Sequence, residues 1–382
     1  MNRRKKGVAI LGSTGSIGRQ TLEVIESFKD IFEVVALTAN RNIDLIYEQI
    51  KKYRPKYFYV ASEEFRYEIE VDGVEFRTQK EIIMSDEVDL VVVGIPGFDS
   101  LEPVYESVRC GKKVAVASKE AILCGGKVIF SIAESTKAKI LPIDSEHSSL
   151  WRIIDKYGKD NIKKVYITAS GGPFLNLPKE ELEKVKIEDA LKHPVWSMGK
   201  KITIDSASLM NKAFEVIEAS YLFGIPSDIV SVKIHPEAIV HSAVEYKDGT
   251  TIMSAHFPDM RIPILYSMLY GDDFEIPFQT PPIWDKPLRF YDPDVEKFPA
   301  ILFGWRCAEY PMPVVLVSAD DVAVELFLEN RIKFTDITKI IDETLSYFEN
   351  YSRSINVDTI EDVFDLSKEA KNRALNIAQK FF

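Results

Sequence analysis

The sequence predicts an α/β protein in three parts: an N-terminal parallel sheet, a central α/β domain with its own sheet, and a C-terminal helical bundle. Three observations lead there. Short apolar runs alternate with helical patterns through residues 1–150, as in a parallel sheet covered on both faces. From 151 to 275 the pattern changes and includes a hairpin signal. Beyond residue 304 apolar residues recur at helical spacing.

Taken in order, strands are expected at 7–11, 32–38, 56–60, 89–94, 113–117 and 139–143, and helices at 16–28, 42–53, 78–85, 99–110 and 118–134. The basic start, Met1 to Lys6, followed by apolar Gly7 to Leu11, imitates a secretory leader. The apolar run stops at Gly12, short of the roughly seven residues a leader needs, so it reads as the first strand. In the second domain Lys164 to Thr168 forms a strand entering the loop Ser170-Gly171-Gly172-Pro173. Ala207 to Phe223 forms a helix, and Ala238 to Tyr246 and Thr251 to Phe257 form two strands turned by Asp248-Gly249. Six prolines between 277 and 299 make 276–303 a linker. In the last domain, 304–382, Asp320 and Asp321 after Ser318 suit the first turn of a helix. Ile337, Ile340, Ile341, Leu345 and Phe348 mark a further one, as do Ile360, Val363, Ala370, Ala374 and Ile377.

With 382 residues the chain can bury a sizeable core. A formal net charge of -11 argues against a nucleic-acid or membrane-surface binder. No run of about eighteen apolar residues exists, so no membrane span is expected, and a cytoplasmic protein is the expectation. Cys110, Cys124 and Cys307 form no metal or disulfide pattern and read as buried small hydrophobes in a reducing compartment.

Gly12-Ser13-Thr14-Gly15-Ser16-Ile17-Gly18 follows the first strand and opens the first helix. Glycines let backbone approach a pyrophosphate, and free amides at a helix start attract it. The spacing is G-x-x-G-x-x-G rather than G-x-G-x-x-G, so strand-to-helix context carries much of the signal for a Rossmann-like domain. After the second strand the run Asn40-Arg41-Asn42 has no acid for ribose hydroxyls, and Arg41 can pair with a 2′-phosphate. NADP is therefore favoured over NAD, a solvated surface arginine being the plainer reading. Ser118-Lys119-Glu120 closes another strand, where a lysine and a glutamate can face the nicotinamide and reacting carbon, or simply start a helix.

Asp144 and Glu146 are two apart, and on an extended segment they point the same way. Glu215 supplies a third carboxylate from the helix. Three carboxylates with no His or Cys partner suit Mg²⁺ or Mn²⁺ rather than zinc. Asp205 or Ser206 is expected to cap the helix, with Asn211, Lys212 and Glu215 facing one pocket, phosphate toward Ser206 and metal toward Glu215. Ser170-Gly171-Gly172 again suits a phosphate. His193 to Gly199 carries Trp196 and Met198 in a loop, either a lid over substrate or a loop anchored in the core.

The motifs GSTGSIG (12–18), SKEA (118–121), PIDSEHSSLW (142–151), ASGGPF (169–174), HPVWSMGKKITIDSASLMNK (193–212) and HPEAIVHSAVEYKDGT (235–250) together resemble the 1-deoxy-D-xylulose 5-phosphate reductoisomerase family over nearly the whole chain. That resemblance implies a metal (Mg²⁺ or Mn²⁺, with Co²⁺ admissible) on Asp144, Glu146 and Glu215. It implies phosphate contacts from Ser170, Ser206, Asn211 and Lys212, with His193 and Ser145 on the substrate and Lys119 near its reacting hydroxyls. NADPH would meet Thr14, Gly15, Ser16, Ile17, Asn40, Arg41, Asn42, Ser118, Glu120 and Gly199, and Trp196 and Met198 would belong to a mobile flap. The family usually has Asn-Lys-Glu at 118–120 and often Gly-Lys-Asn at 40–42, so both departures fall in the cofactor site. The implied reaction is rearrangement and NADPH-dependent reduction of a small phosphorylated sugar in isoprenoid biosynthesis, by a homodimer. The rival readings are an NADP-dependent dehydrogenase of another phosphorylated or acidic substrate, which would not need the three acids, and a non-catalytic NADP-sensing module.

Overall fold

The computed structural model describes residues 4–65, 69–196, 198–272, 274–350 and 355–382. Ser197, inside the histidine-to-glycine motif, lies outside the described residues. Two compact units make up the chain: Met1–Ala121, Ile129–Ser148 and Asp259–Thr280 form one, and Ile122–Val128, Ser149–Pro258 and Pro281–Phe382 the other.

The first unit opens with β1 (Lys6–Leu11), α1 (Ser16–Ser27), β2 (Phe32–Ala39), α2 (Ile43–Tyr53), β3 (Tyr57–Val60) and β4 (Glu75–Phe76). It continues with α3 (Gln79–Met84), β5 (Leu90–Val93), α4 (Leu101–Arg109), β6 (Lys113–Val116), α5 (Lys119–Thr136) and β7 (Lys139–Pro142). The strands form one parallel sheet in the order β4-β3-β2-β1-β5-β6-β7. Val8, Ile10, Val91, Val92, Val114 and Ala115 are wholly buried, because helices cover both faces and leave no polar side to the strands. Chain order reverses between β1 and β5, so the crevice of this sheet lies beyond their carboxyl ends. The two-residue strand β4 was not foreseen; it is an edge strand with both side chains exposed, too short for periodicity to reveal.

α6 (Ser145–Tyr157) begins directly after Asp144. Next come β8 (Ile162–Ala169), α7 (Ile187–Ala190), α8 (Lys200–Ser208), α9 (Met210–Phe223), β9 (Val230–Ile234), β10 (Val240–Tyr246) and β11 (Thr251–Ala255). After α10 (Arg261–Met268), which packs on α1 in the first unit, follow α11 (Phe303–Arg306), α12 (Met312–Leu328), α13 (Phe334–Glu349) and α14 (Ile360–Ala378). The second unit carries a sheet in the order β11-β10-β8-β9, parallel between β8 and β9 and antiparallel elsewhere. The stretch 281–298 holds no helix and only one bridge, Tyr291 to Ile234. Among the described residues no helix is long and apolar enough to cross a membrane.

Three sequence expectations need correction. The helix expected at 207–223 is two helices, broken at Leu209, whose φ of 62° is left-handed. Ser208 stabilises the break by donating to Asp205 O and accepting from Met210 N–H, the local competition for backbone that serine offers. Asp320 and Asp321 are not in a first turn, because α12 starts eight residues before Asp320, with Pro313 in its opening turn, where a missing N–H costs nothing. Cys110 is exposed; only Cys124 and Cys307 are buried.

Asp320 is fully buried for a different reason. Its Oδ2 accepts from Lys201 Nζ at 2.7 Å, and the same ammonium donates to Asp205 at 2.8 Å. This ties α8 to α12. Lys201→Met leaves buried carboxylates without that cation and is expected to lower the unfolding free energy by about 3–5 kcal/mol in urea denaturation. Adding Asp320→Asn should recover part of the loss.

Candidate active site

The loop between β1 and α1 is shaped by close backbone approach. Gly12 has φ +86° and lies against Gly94, where a Cβ would come within 3.1 Å of backbone. A Cβ on Gly18 would meet Gly12 O and Ser13 Cα at 2.4 Å. Gly15 precedes α1 in extended conformation with no side-chain cap, and the first turn holds no acid. The helix start therefore carries no side-chain cap and no acid to compete with an anion, a fit for a pyrophosphate. In this turn Gly15 and Ser16 are exposed, and Thr14 and Ile17 are half-buried. Asn40 and Arg41, beyond β2, are exposed. Asn42 caps α2, its Oδ1 accepting from Leu45 N–H at 3.3 Å. At the end of β6, Ser118 Oγ lies 2.6 Å from Glu120 Oε2 and 3.1 Å from Gly97 O, joining the turns after β5 and β6.

Asp144 is not on an extended segment, as the sequence reading had it; it caps α6. Its Oδ1 accepts the amides of Glu146 and His147, both at 3.1 Å, the bond an N-cap aspartate makes. Helix geometry therefore orients Glu146, whose Oε2 accepts from Ser145 Oγ at 2.6 Å. Lys119, at the start of α5, donates to Asp144 Oδ2, and both are buried. His147 Nδ1 lies 3.0 Å from Asp144 Oδ1 with the ring fully buried. Sequence reasoning missed His147; its position three residues after an N-cap acid would have marked it.

Glu215 on α9 is wholly buried. Lys212 Nζ donates to both its oxygens at 2.8 and 2.7 Å, and Asn211 Nδ2 donates at 2.6 Å. Asn211 and Lys212, read as phosphate groups, thus hold the carboxylate here. One oxygen each from Asp144, Glu146 and Glu215 lies within 4.8 Å of the others. A donor set of carboxylate oxygens without nitrogen or sulfur fits a hard divalent cation.

A second cluster joins residues from three separate stretches. His193 Nε2 lies 3.0 Å from Ser206 Oγ and 3.3 Å from Ser170 Oγ. Its Nδ1 accepts the amides of Val195 and Trp196 at 3.1 and 2.9 Å. A nitrogen that accepts carries no proton, so a neutral ring has its hydrogen on Nε2, directed at the two hydroxyls. Gly171 and Gly172 have φ of +91° and +68°, and a Cβ on Gly172 would stand 2.8 Å from Ser206 O. Lys297 Nζ donates to Phe174 O and Leu175 O at 2.6 and 3.0 Å and pins this loop from behind; burial pulls its pKa below the ordinary lysine range. Ser206 does not cap a helix, contrary to expectation. It lies in the last turn of α8, whose N-cap is the exposed Gly199. Trp196 and Met198 are half-buried in the loop before it.

Family models match three stretches: 1-deoxy-D-xylulose 5-phosphate reductoisomerase at residues 8–126, its C-terminal domain at 140–223, and a DXP reductoisomerase C-terminal domain at 256–373. A 1-deoxy-D-xylulose 5-phosphate reductoisomerase of Caldanaerobacter subterraneus is 42% identical, with 97% of this chain and 98% of that protein covered. The enzyme of Geotalea daltonii is 40% identical over 98% of this chain and all of its own length. A crystal structure of DOX-P reductoisomerase in complex with NADPH, fosmidomycin and magnesium superposes with a TM-score of 0.91 at 30% identity, covering 98% of each chain. That of the Zymomonas mobilis enzyme with NADPH gives 0.89 at 32%, covering 98% of this chain and 99% of the other.

His193→Ala removes the Nε2 donor and the acceptor for two amides together. It is expected to weaken sugar-phosphate binding about tenfold to a hundredfold in calorimetric titration, with an unchanged far-UV circular dichroism spectrum.

Proposed function

The chain belongs to the 1-deoxy-D-xylulose 5-phosphate reductoisomerase family, and from that premise we propose which of its residues carry the reaction. The activity is NADPH- and metal-dependent conversion of 1-deoxy-D-xylulose 5-phosphate to 2-C-methyl-D-erythritol 4-phosphate. Asp144, Glu146 and Glu215 hold the divalent cation. The observation that carries this assignment is the convergence of three carboxylate oxygens with no softer donor. When bound, the cation supplies Lewis acidity to the substrate's oxygens, and NADPH is the reductant.

The remaining roles follow from chemistry at named atoms. Ser170, Ser206 and His193, through its Nε2–H, hold the phosphate. Asn211 Nδ2 and Lys212 Nζ, which here donate to Glu215, would contribute further donors to it. Ser145 and Glu146 orient the sugar. Lys119, already donating to Asp144, offers a proton donor near the reacting hydroxyls. Phosphate binding far from the reacting carbons orders the loop of Trp196 and Met198, which excludes water. Thr14, Gly15, Ser16 and Ile17 would hold NADPH, with Asn40, Arg41 and Asn42 toward its 2′-phosphate and Ser118, Glu120 and Gly199 toward the nicotinamide.

The same proposal makes the protein a cytoplasmic homodimer of an N-terminal cofactor domain (1–150), a catalytic domain (151–275), a linker (276–303) and a helical domain (304–382). Its three cysteines are free, which suits a reducing compartment. Edge strand β11 exposes Met253, and the 281–298 stretch exposes Trp284, Leu288 and Tyr291, apolar surface that a second copy would cover. Light scattering at micromolar concentration should give twice the chain mass.

Glu215→Gln is expected to abolish NADPH consumption with 1-deoxy-D-xylulose 5-phosphate, read by absorbance, while the fold is retained; undiminished turnover would refute the metal assignment. Chelation of divalent ions should likewise stop turnover and leave NADPH binding measurable. A chelated enzyme at full rate would favour a plain dehydrogenase.

A further inference from the structure

Beneath the loop between β1 and α1 lies a polar network buried from solvent. Ser13 Oγ donates to Gln49 Oε1 at 2.7 Å, and Gln49 Nε2 donates back to Ser13 O at 2.9 Å. Ser13 N–H also bonds Thr38 O at 2.8 Å, and Gly12 N–H bonds Thr38 Oγ1 at 3.0 Å. Ser13 is fully buried, and Thr38 and Gln49 are 2% and 6% exposed. None of the three side chains can reach a cofactor in solvent.

The network nonetheless joins two places a cofactor would touch. Gly12 and Ser13 begin the pyrophosphate loop. Thr38 lies near the end of β2, two residues before Asn40 and three before Arg41. Gln49 lies on α2, the helix that starts after Asn42, about 10 Å along its axis from the capped end. One tie comes from the strand and one from the helix, so both sides of the Asn40–Asn42 turn are fastened to the loop. A buried amide that donates and accepts in opposite directions permits little sliding, because either slip strands a polar group out of water.

We infer that Gln49 is a positioning residue that sets the preference for NADPH over NADH, an inference resting on the reading that Arg41 meets the 2′-phosphate. NADPH is held at two anionic points, NADH at one. A two-point ligand gains from the second contact only when the two sites keep a fixed spacing. The Gln49–Ser13 clasp fixes that spacing. Loosening it costs NADPH its second contact and costs NADH much less.

The test measures Kd for NADPH and for NADH by fluorescence titration of the full-length protein and three variants. Arg41→Ala should collapse the Kd ratio. Gln49→Met, similar in length but unable to donate, should narrow the ratio about five- to tenfold. Ser13→Ala, which removes the hydroxyl and spares the backbone carbonyl, should narrow it in the same direction and decides the matter if Gln49→Met does not fold. A purely structural role would weaken both cofactors in proportion. If Arg41→Ala collapses the ratio while Gln49→Met and Ser13→Ala leave it within about twofold, the inference is overturned and the Arg41 reading stands. If Arg41→Ala leaves the ratio unchanged, the Arg41 reading fails and the inference falls with it.

Discussion

A carboxylate removed from water must be given partners where it stands, and that constraint organises the acids of this protein. Asp144 takes two helix amides, the Lys119 ammonium and the His147 ring. Glu215, with no exposed surface at all, takes Lys212 and Asn211. Asp320 and Asp205 share Lys201. Each bond that offsets burial also fixes a side chain's direction. Preorganisation and the stability cost of acidity are thus one arrangement, and removing a lysine takes away the cation that offsets a buried charge.

The two glycine loops rest on the opposite device, close backbone approach permitted by the absence of side chains. Gly12 and Gly18 bring the first loop against Gly94 and against itself. Gly171 and Gly172 adopt left-handed φ and let the Ser170 loop lie on Ser206. In both places a single Cβ would meet backbone that cannot move aside. On the proposed reading, the hydroxyls and amides of these loops would gain an anion's charge without supplying one of their own.

Much of the fold was legible because it depends on local regularities. Parallel strands buried on both faces are written as apolar runs, and each of the six expected in the first unit formed, with ends displaced by a residue or so. The misreadings share a cause. Leu209 carries a left-handed turn that nothing in its own identity announces, since leucine rarely adopts that conformation. The helical start after Asp144 was hidden because an acid next to Ser145 and Glu146 reads equally well as a strand edge. Asp320 looked like a first-turn acid, since its partner Lys201 is 119 residues away in the chain.

By itself the sequence determined which chemistry was present: glycines where backbone must approach, acids without soft donors, an arginine in place of a ribose-binding acid. Spacing and residue type are local, and they survive in a one-dimensional record. Only the tertiary structure decided which groups meet. It placed the Ser170 and Ser206 hydroxyls on one imidazole nitrogen of His193, and Gln49 on Ser13 across 36 positions. Such pairings are set by how helices and strands pack, and packing depends on the whole buried surface rather than on any neighbouring residues.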